Sequence, residues 1–144
     1  MMNTKMYILA VLVYFSFITC AQKSNNLSNQ NHTSKQMETL LKPVKALIEA
    51  MDAENAEGIR AQFSKKATQA YGADGSMKTP EETEKWIESD IISRQGKVAK
   101  PEYKVINDSQ VVVTGQYSSK GYTNKANFLF TVEDGLITAW RMRY

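Results

Sequence analysis

The side chains in this sequence that could do chemistry stand at the ends of the predicted elements and form no recognised catalytic motif. Tyr71 closes a short β-prone run, Asp74 lies in the turn Gly72-Ala73-Asp74-Gly75 behind it, and Trp86 stands on the amphipathic segment that follows. Asn127, Trp140 and Met142 sit in the last two β-prone runs. A carboxylate such as Asp74 can serve as a general base, and a buried amide such as Asn127 can orient a ligand's polar atom. Tyr71, Trp86, Trp140 and Met142 have the make-up of an apolar small-molecule site. The two tryptophans serve core packing equally well, and an aspartate beside glycine is an ordinary turn residue. A single cysteine and a single histidine exclude a disulfide framework, a cysteine-based zinc site and most histidine-based metal sites. The sequence contains no P-loop, dinucleotide-binding fingerprint, nucleophile elbow or CxxC pair, so neither a cofactor nor a metal is implied.

The elements that must position these residues are legible from periodicity. The chain of 144 residues is 42% hydrophobic and 23% charged, which fits one globular domain. Its formal charge of +3, with 18 basic and 15 acidic residues dispersed along the chain, gives no basis for nucleic acid binding. Leu40, Val44, Leu47, Ile48 and Met51 recur at helical spacing, with Pro43 expected in that helix's first turn or at a kink. Ala56, Ile59 and Phe63 form a second, shorter stripe. Thr79-Pro80-Glu81-Glu82 reads as the capped start of a third helix, whose buried face is Trp86, Ile87 and Ile91 and which Gly96 ends. Ala67–Tyr71 reads as a short strand. After Pro101 the period changes to two, giving strands over Tyr103–Ile106, Gln110–Tyr117, Tyr122–Val132 and Leu136–Arg143. Asp134-Gly135 predicts a two-residue hairpin, which would oppose Leu129 to Trp140 and Asn127 to Met142. In that register Asn127, Trp140 and Met142 face inward. Phe128, Phe130 and Ile137 then form an outward apolar face suited to covering by a second subunit, which predicts a homodimer.

The N-terminus is a targeting segment. Met6 to Ile18 carries no charge and follows Lys5, a run too short for the about 20 residues that span a bilayer and suited to a secretory signal. Phe17-Ile18-Thr19-Cys20-Ala21 resembles a bacterial lipoprotein signal, which implies cleavage before Cys20 and acylation of that cysteine. Ordinary cleavage after Ala21 is the alternative, with Thr19 and Ala21 as the small residues. Residues 1–20 are then the signal segment, with cleavage before Cys20 leaving that cysteine as the new N-terminus, or residues 1–21 if cleavage is ordinary. Residues 21–35 read as a flexible polar tether that contains His32, and residues 36–144 as the folded domain. The expected location is the bacterial cell envelope, either held to the membrane through a lipid anchor or soluble after export.

Helix, helix, short strand and helix followed by four antiparallel strands resembles the NTF2-like and SnoaL-like superfamily. The segment L-I-E-A-M-D-A-E-N-A-E-G-I-R-A-Q-F-S-K-K-A-T is similar to that family's opening helix pair, and E-D-G-L-I-T-A-W-R-M-R-Y to its final strand. The resemblance implies an α+β cone, with three helices packed on a curved, mainly antiparallel sheet. Members with ketosteroid isomerase chemistry carry a tyrosine donor, a base aspartate and a protonated aspartic acid. Here those positions fall at Leu47, at or near Tyr71, and near Asn127. The expected function is therefore non-catalytic binding of a small apolar or aromatic ligand by Tyr71, Trp86, Asn127, Trp140 and Met142. A SnoaL-like acid–base enzyme using Asp74 on a polyketide- or steroid-like ring is the alternative, and a structural partner domain with a filled cone is a third reading.

Overall fold

A computed structural model of the chain describes residues 23–143, with side chains from residue 31 onward. The signal segment, Cys20 and Ala21 lie outside the described residues. Among the described residues, no helix is long and apolar enough to cross a membrane.

Helix α1 spans Lys23–Asp52, α2 Ala56–Ala61 and α3 Pro80–Trp86, and α3 runs on into a π-helical turn over Ile87–Ile92. Strands β1 (Phe63–Tyr71), β2 (Lys97–Val105), β3 (Gln110–Ser119), β4 (Tyr122–Glu133) and β5 (Leu136–Met142) form one sheet in the order β1-β5-β4-β3-β2. β1 runs parallel to β5 and every other pair is antiparallel. The result is the expected α+β architecture of three helices on a five-stranded mixed sheet.

The expected apolar stripe of α1 is buried from Leu40 to Met51. The helix itself begins much earlier, at Lys23, and takes in the segment read as a tether. Side chains 31–39 are all exposed there. The missing apolar period signalled the absence of burial, and an unburied segment can still extend a helix already nucleated by a packed one. Pro43 consequently lies inside α1, in its first buried turns, where it removes the N–H that would bond the Thr39 carbonyl. Asn55 caps α2 through its Oδ1, which accepts the Gly58 N–H at 3.0 Å. Phe63 opens β1 instead of extending α2, so that strand is longer than expected. Thr79 and Glu82 form the expected capping box on α3. β2 starts at Lys97, before Pro101, because an edge strand tolerates a residue without an N–H and the register shifts between Ala99 and Glu102 around it.

The last hairpin departs from expectation in a way that decides which face is core. Asp134 and Gly135 both have positive φ, 51° and 76°, and pair Glu133 with Leu136 and Val132 with Ile137 as the two-residue turn requires. Thr138 is then an extra residue on β5, since Thr131 pairs with Ala139. This β-bulge shifts the register by one, so Phe130 opposes Trp140 and Phe128 opposes Met142. Trp140 and Met142 therefore share their face with Phe128, Phe130, Val132 and Ile137, all of which are buried in the chain's own core. The proposed subunit contact through Phe128, Phe130 and Ile137 is corrected by this burial. The outward face carries Asn127, Leu129, Thr131, Ala139, Arg141 and Arg143, none of them fully buried.

Phe130→Ala should accordingly lower stability by about 3–5 kcal/mol, the usual loss for a truncated buried phenylalanine. Urea denaturation checks this, and an unchanged midpoint would contradict the inward placement of Phe130.

Candidate functional site

A cavity of about 230 Å³ opens between the α3–π-turn segment, the end of β1 and the inward faces of β3, β4 and β5. Its floor is Trp86, Tyr117, Phe128 and Met142, each at most 6% exposed. Its mouth is Tyr71, Asp90, Arg94, Ser119, Tyr122, Asn124 and Lys125. A second groove of about 310 Å³ lies between α2, β1 and α3. Its rim carries the Arg60–Glu88 ion pair, and it holds only one aromatic ring, Phe63.

Trp86, Asp90 and Arg94 follow one another at a spacing of four and turn one face to the cavity. The π-helical turn, in which the Ser93 N–H reaches the Glu88 carbonyl at 2.9 Å, lies between Trp86 and Arg94. The tip of the β3–β4 hairpin is fastened to the end of this helix. Arg94 Nη2 donates to the Lys120 carbonyl at 2.8 Å, and the Lys120 N–H donates to the Arg94 carbonyl at 2.8 Å. Gly96 is required here by space, since a Cβ would lie 2.7 Å from Tyr117 Oη.

The hydrogen bonds already made within the site determine which groups remain to meet a ligand. The indole N–H of Trp86 donates to Tyr71 Oη. Indole is a donor only, so Tyr71 is the acceptor in that bond and keeps its own O–H to donate elsewhere. Burial raises the pKa of Tyr71 above the usual tyrosine range, partly opposed by that indole bond. Burial likewise raises Tyr117, opposed by a hydrogen bond from Ser119. Both phenols are therefore neutral at physiological pH and available as donors to a carbonyl or carboxylate oxygen. At the mouth, Asp90 accepts from the Ser89 hydroxyl at 2.6 Å and lies 3.9 Å from Arg94 Nη1. Lys125 forms no ion pair among the described residues.

Of the residues expected from the sequence, Tyr71, Trp86 and Met142 come together in the cavity. Trp140 does not line it. It lies behind Trp86, with ring centroids 5.0 Å apart and planes nearly perpendicular, and is 1% exposed. Asn127 is on the opposite face of the sheet, where its Oδ1 accepts from Arg143 Nη2 at 3.0 Å. Its expected inward direction followed from the unbulged register. Asp74 is exposed and outside the cavity. Its loop is held by Arg141 on the outer face, which donates to the carbonyls of Gly72 and Gly75 at 3.2 and 2.7 Å. Sequence reasoning missed Asp90, Arg94, Tyr117 and Lys125. The spacing of Trp86, Asp90 and Arg94, and the alternation of Val111, Val113 and Tyr117 along β3, were the available signals. Among the described residues no three His, Cys, Asp or Glu side chains are grouped to hold a metal ion.

No protein-family model matches the sequence, and no curated protein sequence matches it. Solved structures do match. A Mycobacterium tuberculosis protein in complex with estradiol-17β-hemisuccinate is 19% identical with a TM-score of 0.61, over 74% of this chain and 93% of that one. The Δ5-3-ketosteroid isomerase from Mycobacterium sp. is 13% identical with a TM-score of 0.60, over 74% and 92%. An NTF2-like protein of unknown function from Cytophaga hutchinsonii is 18% identical with a TM-score of 0.56, over 69% and 83%. The shared feature is the fold, an NTF2-like α+β cone.

The tyrosines make a pH dependence calculable in sign. Tyr71 and Tyr117 titrate above their ordinary value in the folded chain, while in the unfolded chain they ionise near about 10. The folded state holds the protons longer, so stability is retained below about pH 10 and falls as pH rises beyond it. Urea midpoints measured across that range should decline, and Tyr71→Phe combined with Tyr117→Phe should flatten the decline.

Proposed function

We propose that this chain is an exported, lipid-anchored binding domain whose cavity holds a small aromatic or apolar ligand without transforming it. The observation that carries the reading is an apolar, ring-lined floor whose lining includes two neutral tyrosines, Tyr71 and Tyr117, the usual composition of a small-molecule site. Trp86 supports it further, because its indole fixes one of those hydroxyls in place. Attachment through Cys20 is supported by the uncharged run that precedes that residue.

An acid–base enzyme is the second reading, and Asp90 favours it, being a carboxylate at the mouth of a cavity that offers two donors to an oxyanion. Against it, Asp90 is already engaged by Ser89 and Arg94. In this reading Asp90 replaces Asp74 as the base.

Titration with 2-naphthol, followed by amide and indole NMR shifts, tests binding. The Trp86 indole and the amides of Tyr71, Tyr117 and Tyr122 should move. Shifts confined to the outer face of the sheet, or none, would defeat the reading. 2-Tetralone separates the two readings, since a binder leaves its α-proton exchange unaccelerated. An enzyme would accelerate that exchange and lose the effect in Asp90→Asn. Palmitate labelling that disappears in Cys20→Ser checks the anchor, and an unlabelled, soluble wild-type protein would favour simple export.

A further inference from the structure

We infer that Gln69 is an inner anchor of the ligand site and selects an aromatic lactam, a ring system with a neutral amide edge. This rests on the binding reading above and specifies the chemistry of the ligand. Strand register places Gln69. Between β1 and β5, Tyr71 pairs with Met142 and Gln69 with Trp140, so the two pairs form successive rows on the inward face of the sheet. The front row, Tyr71 and Met142, lines the cavity. The back row, Gln69 and Trp140, lies two residues deeper, about 7 Å at the usual rise of a strand. Ala67, two residues further back along β1, lines the second groove together with Thr83. Gln69 therefore stands in the wall between the cavity and the groove.

The Gln69 amide is unanswered within the fold. The residue is fully buried, and neither Nε2 nor Oε1 has a hydrogen-bond partner among the described residues. A leucine would fill similar space without the cost of an unmet amide, so the amide calls for a partner from outside the chain. Trp140 Nε1, in the same row, and Thr83 Oγ1 are likewise unpartnered among the described residues. No charged side chain is buried among those residues, so the group that meets Gln69 is neutral. Nε2 donates and Oε1 accepts side by side, and the edge of a lactam offers the matching acceptor and donor. A carboxylate, ketone or ester has no donor to give. The rings of Trp86, Tyr117 and Phe128 in front favour an aromatic body. Trp86 touches both Tyr71 and Trp140, which flank Gln69 along and across the strands. An entering lactam exchanges the indole bond from Trp86 to Tyr71 for two bonds to Gln69.

The experiment compares 2-quinolinone with coumarin, which share a shape and a carbonyl and differ in a ring N–H against a ring oxygen. Calorimetry on the exported protein should show 2-quinolinone binding about tenfold more tightly, the effect of one buried donor finding its acceptor. Gln69→Leu should abolish that preference and keep 2-naphthol binding. Its urea midpoint should match or exceed the wild-type value, because an unmet amide has been removed. In NMR spectra of the unaltered protein, 2-quinolinone should move the Gln69 side-chain amide protons and the Trp140 indole proton. Equal binding of the two ligands, a preference that survives Gln69→Leu, or unmoved Gln69 amide protons would overturn the lactam proposal. A lowered midpoint in Gln69→Leu would mark the amide as already satisfied inside the fold and would equally overturn it. In each of these cases 2-naphthol binding leaves the binding reading standing. Failure of all three ligands would overturn the binding reading itself.

Discussion

The structure depends on one extra residue in the last strand. Thr138 shifts the register of β5 by one, and that shift turns Trp140 into the molecule. Trp140 then packs against Phe63, Trp86, Phe128 and Phe130, with ring centroids between 4.9 and 6.1 Å. Each such pair contributes about 0.5–1.5 kcal/mol beyond the area it buries. These rings come from the first strand, the third helix and the fourth strand, so one indole joins the elements that form the cone. Among the described residues its own Nε1 has no hydrogen-bond partner, and ring packing is what holds it.

The second tryptophan has the opposite arrangement. Trp86 leans edge-on against Trp140 but gives its N–H to Tyr71, at the boundary between core and cavity. Trp140 is thus a support for the site and Trp86 a part of it. The same division runs along β4, where Phe128 touches the cavity while Phe130, two residues on, belongs wholly to the core.

Local grammar made much of this readable from the sequence. The capping box at Thr79, the turn at Asp134-Gly135 and the apolar stripe from Leu40 to Met51 are signals that neighbouring residues settle among themselves. The bulge at Thr138 is different in kind. Nothing in Leu136-Ile137-Thr138-Ala139-Trp140 announces it, and a single unpaired residue exchanged the two faces of β5 relative to β4. That exchange displaced Asn127 from the expected site and converted the expected subunit contact into core, while Trp140 stays inward but lies behind Trp86. Asp74 was misplaced for another nonlocal reason, because Arg141, nearly seventy residues later in the chain, holds its loop outward. Tyr71, Trp86 and Met142 were found because type and position on their elements were enough to mark them.

The long N-terminal helix changes what an anchor at Cys20 would mean. A disordered leash lets a domain wander through a hemisphere above its attachment point, at a height that fluctuates with the coil. The part of α1 before Leu40 is instead a rod of roughly 25 Å, at about 1.5 Å per residue, continuous with the helix that packs on the sheet. For a chain attached at Cys20, that rod acts as a stilt, setting the distance between the cavity and the lipid headgroups.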